Sequence, residues 1–261
     1  GHKVIVVDNF MFGQSSLNQC CSHPNFKVVN CDIRHKQLIT PYYETAEIII
    51  PLAGYVGAPL CNKDKIGAQT VNHDAIMFML ETLRQDQIVL MPTTNSAYGS
   101  GNKDNFCDEE SALNPISKYA LDKVTVEKEL MKRQNSISFR LATVFGMSPK
   151  MRIDLLVNDF VYRAIKDGFI VLYESHFKRN YIHVQDVASV FIHAINNFDK
   201  MKGEIFNVGL SDANLSKLEL CERIKSHIQD FIIMEASMAT DPDQRNYIVS
   251  NKKIESTGWK P

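Results

Sequence analysis

Short apolar runs alternate with stretches of helical spacing along the first half of the chain. Residues 3–7, 26–30, 48–50 and 88–91 are apolar runs rich in β-branched residues that end in polar or turn-forming residues, which predicts four buried strands. Residues 66–84 carry large apolar side chains at helical spacing between the last two runs. Strands that alternate with helices predict an α/β fold with a Rossmann-like, doubly wound parallel sheet, whose ligands bind beyond the carboxyl ends of the strands.

Composition narrows the classes of function. With 261 residues, of which 44% are hydrophobic, the chain can bury a full core as one large domain or two small ones. The net charge of -1 gives no electrostatic reason to expect nucleic acid or a membrane surface as a partner. No apolar run approaches the roughly 18 residues of a membrane span, and the six cysteines lack paired metal-ligand spacing. We therefore expect a cytoplasmic protein with reduced thiols and no metal site.

A tyrosine and a lysine stand four residues apart at the start of another helical pattern. Tyr119 and Lys123 share one face if residues 117–123 are helical. The ordinary pKa of a phenol is about 10, and a neighbouring ammonium favours the phenolate, so a tyrosine in this position can take a proton from a hydroxyl. The same spacing also occurs as an ordinary pair on a solvated helix face, and the spacing alone does not decide between the two.

Asp8 follows the first apolar run and is a candidate cofactor ligand. An acidic residue at the end of the second strand of a dinucleotide fold accepts hydrogen bonds from the adenosine ribose and repels a 2′-phosphate, so Asp8 predicts NAD rather than NADP. A turn-forming aspartate before Asn9 is the alternative. The glycine-rich turn and central first strand that should precede Asp8 are missing from the sequence, and we expect a fragment of a longer gene product.

Four stretches carry a resemblance to a known family. Residues 93–99 read Thr-Thr-Asn-Ser-Ala-Tyr-Gly, and residues 115–123 match Pro-x-Ser-x-Tyr-x-x-x-Lys. Residues 179–187 read Arg-Asn-Tyr-Ile-His-Val-Gln-Asp-Val, and residues 257–261 read Thr-Gly-Trp-Lys-Pro. With these stretches the chain resembles, over essentially its whole length, the extended short-chain dehydrogenase/reductases that act on nucleotide sugars.

The resemblance implies a role for each matching residue. Thr94 would hydrogen-bond the sugar hydroxyl that is oxidised, although its hydroxyl can also cap a strand-to-turn junction. Tyr119 would be the general base, and Lys123 would hold the nicotinamide ribose and lower the pKa of the tyrosine. The residues implied to bind NAD are Asp8, Asn9, Asp32, Ile33, Leu52, Ala53, Gly54, Tyr119 and Lys123.

The resemblance also implies a substrate site in the second half of the chain. Arg179 and Arg245 match two family arginines that contact the substrate diphosphate, with surface ion pairing as the alternative. Thr143 stands where the family usually has Asn, which puts one substrate contact in doubt. His183 and Asp186 are predicted to be structural, fixing the loop after a strand and capping a helix over residues 187–196. The residues implied to bind the substrate are Thr94, Asn95, Ser96, Thr143, Arg179 and Arg245.

The two residues after Thr94 indicate which reaction of the family the chain can catalyse. The family's dehydratases follow the threonine with Asp-Glu, whereas this chain has Asn95-Ser96, neither of which titrates near neutral pH. We therefore expect NAD-dependent oxidation at carbon 4 of a nucleotide-activated sugar. Residues 52–61, 93–99 and 151–160 resemble bacterial GDP-manno-heptose 4-dehydrogenases of capsule biosynthesis, which implies a GDP-heptose-like substrate. A nucleotide-sugar 4-epimerase and, from a different class, a non-catalytic nucleotide-sugar-binding protein are the alternatives.

The alternation of strands and helices becomes irregular beyond Gly146, and we place the predicted domain boundary there. We expect residues 1–146 to form the NAD-binding domain, and residues 147–261 to form mainly the nucleotide-sugar-binding region, with strands that return to the sheet. Family members often dimerise through two helices of each subunit. Residues 66–84 and 116–132 would form a homodimer in this way, although their periodicity equally suits helices that cover the sheet.

Overall fold

The computed structural model describes residues 1–13, 16–99, 106–236 and 245–261. In chain order its strands are β1 (Val4–Asp8), β2 (Phe26–Asn30), β3 (Ile48–Ile49), β4 (Ile88–Thr94), β5 (Phe106–Cys107), β6 (Ser136–Leu141), β7 (Thr143–Phe145), β8 (Phe169–Tyr173), β9 (Lys178–His183), β10 (Glu204–Val208), β11 (Asn214–Ser216), β12 (Ile232–Ala236) and β13 (Ile248–Val249). The α-helices are α1 (Lys36–Thr45), α2 (Ala58–Lys63), α3 (Lys65–Gln69), α4 (Ala75–Thr82), α5 (Lys118–Leu130), α6 (Leu156–Lys166), α7 (Val184–Asn196), α8 (Phe198–Met201), α9 (Lys217–Lys225) and α10 (Lys252–Ser256).

The chain divides into two compact units. Unit 1 comprises Gly1–Pro92 and Ser117–Ser138, and unit 2 comprises Thr93–Ile116 and Phe139–Pro261. The predicted alternation of strands and helices is present in unit 1, where parallel strands pack with α1, α4 and α5. The predicted α/β, Rossmann-like class is confirmed, and the functional boundary expected at residue 146 stays a prediction.

Parallel strand pairs in unit 1 bring polar residues together at their carboxyl ends. Strand β1 pairs with β2 in a register that runs from Val4 opposite Phe26 to Asp8 opposite Asn30. Strand β3 pairs with β4, with Ile48 opposite Ile88. Between α1, α4 and α5 a buried apolar core excludes water and stabilises the sheet face; it includes Ile39, Tyr43, Ile76, Met79, Leu80, Val126 and Leu130.

The predicted helix over residues 66–84 is interrupted. Thr70–Asp74 form a π-helical turn between α3 and α4, and this turn contains the buried Asn72. The Asn72 side chain accepts a hydrogen bond from the backbone N–H of Tyr55 at 2.8 Å and donates one to the Tyr55 carbonyl at 2.9 Å. The apolar spacing does not predict the interruption, because the bonded partner lies 17 residues away.

Strand β9 lies at the centre of a three-stranded sheet in unit 2. It pairs in parallel with β7, which places Thr143 opposite Tyr181, and antiparallel with β11, which places Leu215 opposite Arg179. The chain leaves β6 at Ala142, whose N–H donates to the Val208 carbonyl at 2.9 Å, and continues as β7 in the sheet of β9.

The residue that caps α7 is His183, not Asp186. The helix begins at Val184, and His183 Nδ1 accepts a hydrogen bond from the backbone N–H of Gln185 at 3.2 Å. The prediction that this histidine is structural is consistent with that bond. Gly146 supports the same arrangement, because it has a φ of +114° and a Cβ atom there would overlap the His183 ring.

Candidate active site

Asp8, Asn9 and Asp32 meet at the carboxyl ends of β1 and β2. The Asn9 side-chain amide donates a hydrogen bond to Asp32 Oδ2 at 3.0 Å, and Asp8 Oδ1 accepts one from the backbone N–H of Phe10 at 2.7 Å. Asp8 therefore does form the turn that its alternative interpretation required. Its second carboxylate oxygen has no hydrogen bond to the described residues, and this half-buried acceptor fits a ribose hydroxyl.

Asp32 is held as a carboxylate by Arg34. The guanidinium donates to it through Nε at 2.9 Å and Nη2 at 2.7 Å, and the backbone N–H of Arg34 donates at 2.9 Å. These bonds, with the one from Asn9, hold the pKa of Asp32 well below its usual range, against the opposing effect of burial. The contacts fix the loop after β2 and leave Ile33 half-buried beside it.

The segment after β3 is fixed by backbone contacts and exposes an apolar side chain. Leu52 is 69% exposed, while the buried Asn72 clamps the backbone of Tyr55. Gly54 lies between them, and a Cβ atom there would approach Asn72 Oδ1 to 3.1 Å. A backbone held by these hydrogen bonds beside an exposed leucine suits the apolar face of an adenine or nicotinamide ring, so the residues implied to bind NAD fit that cofactor.

Helix α5 places Tyr119 and Lys123 on one face, as the spacing predicts. Ser117 caps the helix, since its Oγ accepts a hydrogen bond from the backbone N–H of Ala120 at 3.2 Å. Tyr119 is half-buried and packs against a small core that includes Tyr55 and Cys61. The interpretation of the pair as an ordinary one on a solvated face is therefore wrong for Lys123, which is 9% exposed.

The ammonium of Lys123 is buried against β4. Its Nζ donates to the Pro92 carbonyl at 3.3 Å, and burial lowers its pKa from 10.5 to about 8. A lysine with that pKa is still mostly protonated at pH 7, so it supplies a positive charge inside unit 1. Such a charge suits hydrogen bonding to ribose hydroxyls and stabilises a neighbouring anion.

Thr94, Asn95 and Ser96 form a buried polar turn at the end of β4, in unit 2. Thr94 Oγ1 accepts a hydrogen bond from the backbone N–H of Ser96 at 3.1 Å, so the capping role is present. The guanidinium of Arg245 donates to Ser96 Oγ. Asn95 is 1% exposed, and neither of its amide atoms has a hydrogen-bond partner among the described residues.

Tyr98, which follows this turn in the stretch 93–99, has a structural role. The Tyr98 hydroxyl lies 2.7 Å from Asn207 Oδ1 and accepts a hydrogen bond from Arg140 Nη1 at 3.0 Å. Burial raises the pKa of Tyr98 to about 12, so its phenol stays protonated at neutral pH. This network anchors the turn that carries Thr94.

Arg179 and Arg245 act on one buried phenol. Burial raises the pKa of Tyr181, and the positive charges of Arg179 and Arg245 oppose that rise. The backbone N–H of Tyr247 donates to the Lys178 carbonyl at 3.1 Å, which aligns the two arginine-bearing segments. Arg179 is 2% exposed, so its interpretation as a surface ion-pair partner is wrong. Thr143 lies opposite Tyr181 in the adjacent strand and is half-buried.

The structure therefore gathers the predicted residues in two groups. Unit 1 holds the residues implied to bind NAD, and unit 2 holds those implied to bind substrate, including Thr94. Sequence reasoning missed Asn72, and it missed Asp122, a 3% exposed carboxylate that pairs with Lys118. Both Asn72 and Asp122 are polar residues at helix positions where the spacing predicts an apolar side chain. That mismatch could have identified them, because buried polar groups form specific contacts.

The described residues form neither a metal-binding cluster nor a membrane-spanning helix. Within them no group of three or more His, Cys, Asp or Glu side chains is placed to hold a metal ion. No helix in the same ranges is both long enough and apolar enough to cross a membrane. All six cysteines are free thiols, and four of them are buried.

Curated relatives match the chain from end to end. A putative UDP-glucose 4-epimerase of Methanocaldococcus jannaschii is 26% identical over 272 residues, covering 100% of this chain and 86% of that protein. A CDP-paratose 2-epimerase of Salmonella typhi is 25% identical over 299 residues, covering 100% of this chain and 88% of that protein.

Solved structures show the same fold. A UDP-glucose 4-epimerase of Thermotoga maritima superposes with a TM-score of 0.84 at 21% identity, covering 100% of this chain and 86% of that one. A dTDP-glucose 4,6-dehydratase of Bacillus anthracis, solved with NAD, has a TM-score of 0.81 at 20% identity, covering 99% and 83%. The family described as the NAD dependent epimerase/dehydratase family matches residues 1–209, and the chain belongs to this family of nucleotide-sugar enzymes, whose cofactor is NAD.

Proposed function

We propose that the protein oxidises the hydroxyl at carbon 4 of a nucleotide-activated sugar. The observation that carries the proposal is helix α5, which presents Tyr119 and the buried, charged Lys123 one turn apart. A phenol and an ammonium in this arrangement suit removal of a proton from an alcohol. NAD, when bound, supplies the acceptor for the hydride that leaves the same carbon.

Three side chains carry the proposed chemistry. Thr94 Oγ1 holds the reacting hydroxyl in place, a role compatible with its cap, because a hydroxyl oxygen can accept one hydrogen bond while its proton serves another group. Tyr119 takes the hydroxyl proton as the hydride leaves. Lys123 donates hydrogen bonds to the nicotinamide ribose, and its charge favours the phenolate.

The site is built for oxidation without loss of water. Elimination needs an acid and a base next to the reacting carbon. Asn95 and Ser96 occupy those positions, and neither side chain titrates near pH 7. The oxidised sugar therefore keeps its other substituents.

The substrate is proposed to be a nucleoside diphosphate sugar, bound through Arg179 and Arg245. Planar guanidinium groups suit bidentate recognition of a diphosphate, and the charges of both arginines act on the buried Tyr181. A GDP-heptose-like sugar for a surface polysaccharide remains our prediction from residues 52–61, 93–99 and 151–160.

A nucleotide-sugar 4-epimerase is the second candidate. The relatives from Methanocaldococcus jannaschii and Thermotoga maritima are both named UDP-glucose 4-epimerases, which supports it. An epimerase returns the hydride to the opposite face of the sugar, whereas a dehydrogenase passes it to a second acceptor. The two reactions use the same groups for the first step.

Association into a homodimer is part of the proposal. Helix α5 contacts the helical segment α3–α4 within unit 1, and Lys118 Nζ donates to Gln69 Oε1 at 2.5 Å between them. Ile66 is 79% exposed and Leu121 is 48% exposed on these helices. Apolar side chains left exposed on two neighbouring helices favour packing against a second copy.

Release and turnover experiments test the proposed function. The protein is purified from its native host, and the cofactor and nucleotide that it releases are identified by mass spectrometry. It is then mixed with GDP-heptose, GDP-mannose and UDP-glucose while absorbance at 340 nm and the sugar products are followed. Net reduction of NAD indicates the dehydrogenase, and a 4-epimer without net reduction indicates the epimerase. Bound nucleotide sugar with neither product would establish the non-catalytic alternative.

A further inference from the structure

Asp122 is a buried carboxylate one helical turn from Tyr119. The two residues are three positions apart on α5, so their side chains are neighbours on the helix surface. Asp122 is 3% exposed, and aspartate is rarely buried so completely unless it is paired. The chemistry proposed for Tyr119 and Lys123 does not use this carboxylate.

Only one oxygen of the Asp122 carboxylate has a partner in the described part of the chain. Oδ1 accepts a hydrogen bond from Lys118 Nζ, whereas Oδ2 is shielded from solvent and has no hydrogen-bond partner among the described residues. The side chain of Lys118 is 48% exposed and that of Asp122 is 5% exposed, so water screens the charge of the lysine more strongly. A negative potential therefore remains inside unit 1 beside α5.

Cys61 shows that this charge acts on the core that holds Tyr119. The Cys61 thiol belongs to the small core against which the Tyr119 ring packs. Burial is the largest cause of the raised pKa of Cys61, and the charge of Asp122 raises that pKa further. A hydrogen bond from Asn72 and the charge of Lys123 oppose the rise. Two adjacent residues of α5 thus act on this core with opposite charges.

Other ionisable groups lie on α5 and on the segments packed against it. They are Tyr55, Asp64, His73, Asp74 and Lys118. Burial raises the pKa of Tyr55, which keeps that phenol neutral at pH 7. Asp64, Asp74 and Lys118 are exposed, so solvent screens their charges, and His73 contacts Asp74 at 2.8 Å. Asp122 differs from these groups because its charge is buried.

We propose that Asp122 acts through Tyr119 as a positioning residue, whose buried charge raises the proton affinity of the phenolate and so strengthens the general base. The inference rests on the proposed function. The Lys123 ammonium and the nicotinamide cation of bound NAD both favour the phenolate, and by the same effect they make it a weaker base. A buried carboxylate one turn away restores part of that basicity and sets the pH range in which the base works.

The pH dependence of the oxidation step tests the proposal. Single-turnover reduction of bound NAD, on mixing with GDP-heptose, GDP-mannose or UDP-glucose, is recorded between pH 5.5 and 7.5. Over this range Lys123, with a pKa of about 8, stays mostly protonated. The parent is compared with Asp122→Asn and with the control Asp86→Asn. Asp86 is also paired with a cation, Arg84, but its side chain is 72% exposed.

Asp122→Asn should move the rising limb of the pH profile to lower pH by about 1 unit, because one charge in a partly buried site changes proton affinity by about 10-fold. At the acidic end of the range the variant should oxidise the sugar about 3-fold faster than the parent, since its larger fraction of phenolate outweighs the weaker basicity. Asp86→Asn should follow the parent profile.

The outcomes that overturn the inference are separate from those that overturn the function. An Asp122→Asn protein that is slower at every pH, with the midpoint of the parent, shows that Asp122 is only structural, while the proposed function stands. A parent that oxidises none of the three nucleotide sugars overturns the proposed function and the inference with it. If Asp122→Asn does not fold, Asp122→Ser takes its place, with the same expected shift of the limb.

Discussion

Lys123 Nζ donates a hydrogen bond to the backbone carbonyl of Pro92, 3.3 Å away. The bond joins the middle of α5 to β4 two residues before Thr94, so the ammonium is held at the carboxyl end of a strand. Because this cation is buried and bonded to β4, replacing Lys123 should change both the stability and the function of the protein, and the two effects can be measured separately.

Lys123→Met should change the pH dependence of stability. The folded-state pKa of Lys123 is about 8 and its ordinary value is 10.5, so between these pH values the unfolded chain binds more protons. Parental stability should therefore gain on the order of 3 kcal/mol as the pH rises through that window. Methionine has no proton to exchange and lacks this gain.

Urea unfolding of both proteins at pH 7, 8, 9 and 10 measures the effect. The variant should be the more stable protein at pH 7, and its advantage should shrink as the pH rises. An advantage that stays constant from pH 7 to 10 would show that the ammonium is not buried in solution. The variant should also bind NAD more weakly, since it lacks the proposed ribose contact.

Tyr119→Phe should stop oxidation without disturbing the fold. The ring packs against the small core around Tyr55 and Cys61, and phenylalanine retains that packing. Loss of a general base should lower the rate of the oxidation step by about 100-fold or more. Single-turnover reduction of bound NAD on mixing with GDP-heptose measures this rate, with cofactor content and melting temperature as controls. A variant as fast as the parent would refute the role of Tyr119.

Variants of Asp8 should distinguish its role in forming the turn from the role of its charge in selecting NAD over NADP. Asp8→Asn keeps an acceptor for the Phe10 N–H and removes the charge, whereas Asp8→Ala removes both. We expect both variants to bind NAD more weakly than the parent and Asp8→Asn to gain affinity for NADP, because the charge no longer repels a 2′-phosphate. Fluorescence titration with each cofactor is the measurement. Equal affinity of the parent for NAD and NADP would contradict the assignment.

Arg179→Ala and Arg245→Ala should each weaken substrate binding by about 1.5 to 3 kcal/mol, as expected for charge-assisted hydrogen bonds. Cofactor content should not change. Because Arg179 is buried, Arg179→Lys is the matched control. It keeps the positive charge but lacks the planar guanidinium that can bind a diphosphate in a bidentate way. Titration calorimetry with the nucleotide sugar measures the change in substrate affinity. Unchanged affinity in both alanine variants would show that the two arginines do not bind the substrate.

Much of the fold and of the candidate site could be predicted from local patterns. Strand β2 has its predicted bounds at Phe26–Asn30, and α5 carries Tyr119 and Lys123 on one face as their spacing requires. These features depend on neighbours within one turn or one strand, so periodicity and capping residues are sufficient to predict them. The family followed from motifs of the same short range.

Only the tertiary structure decided what each polar residue touches. The sequence does not show that Asn72 holds the backbone of Tyr55, that Arg179 is buried, or that the chain passes from β6 to β7 at Ala142 and so joins two sheets. It also gives no sign that Asn95 lacks a partner in the described residues. Each of these depends on segments distant in the chain, and burial and hydrogen bonding between such segments are set by packing, which local spacing does not encode.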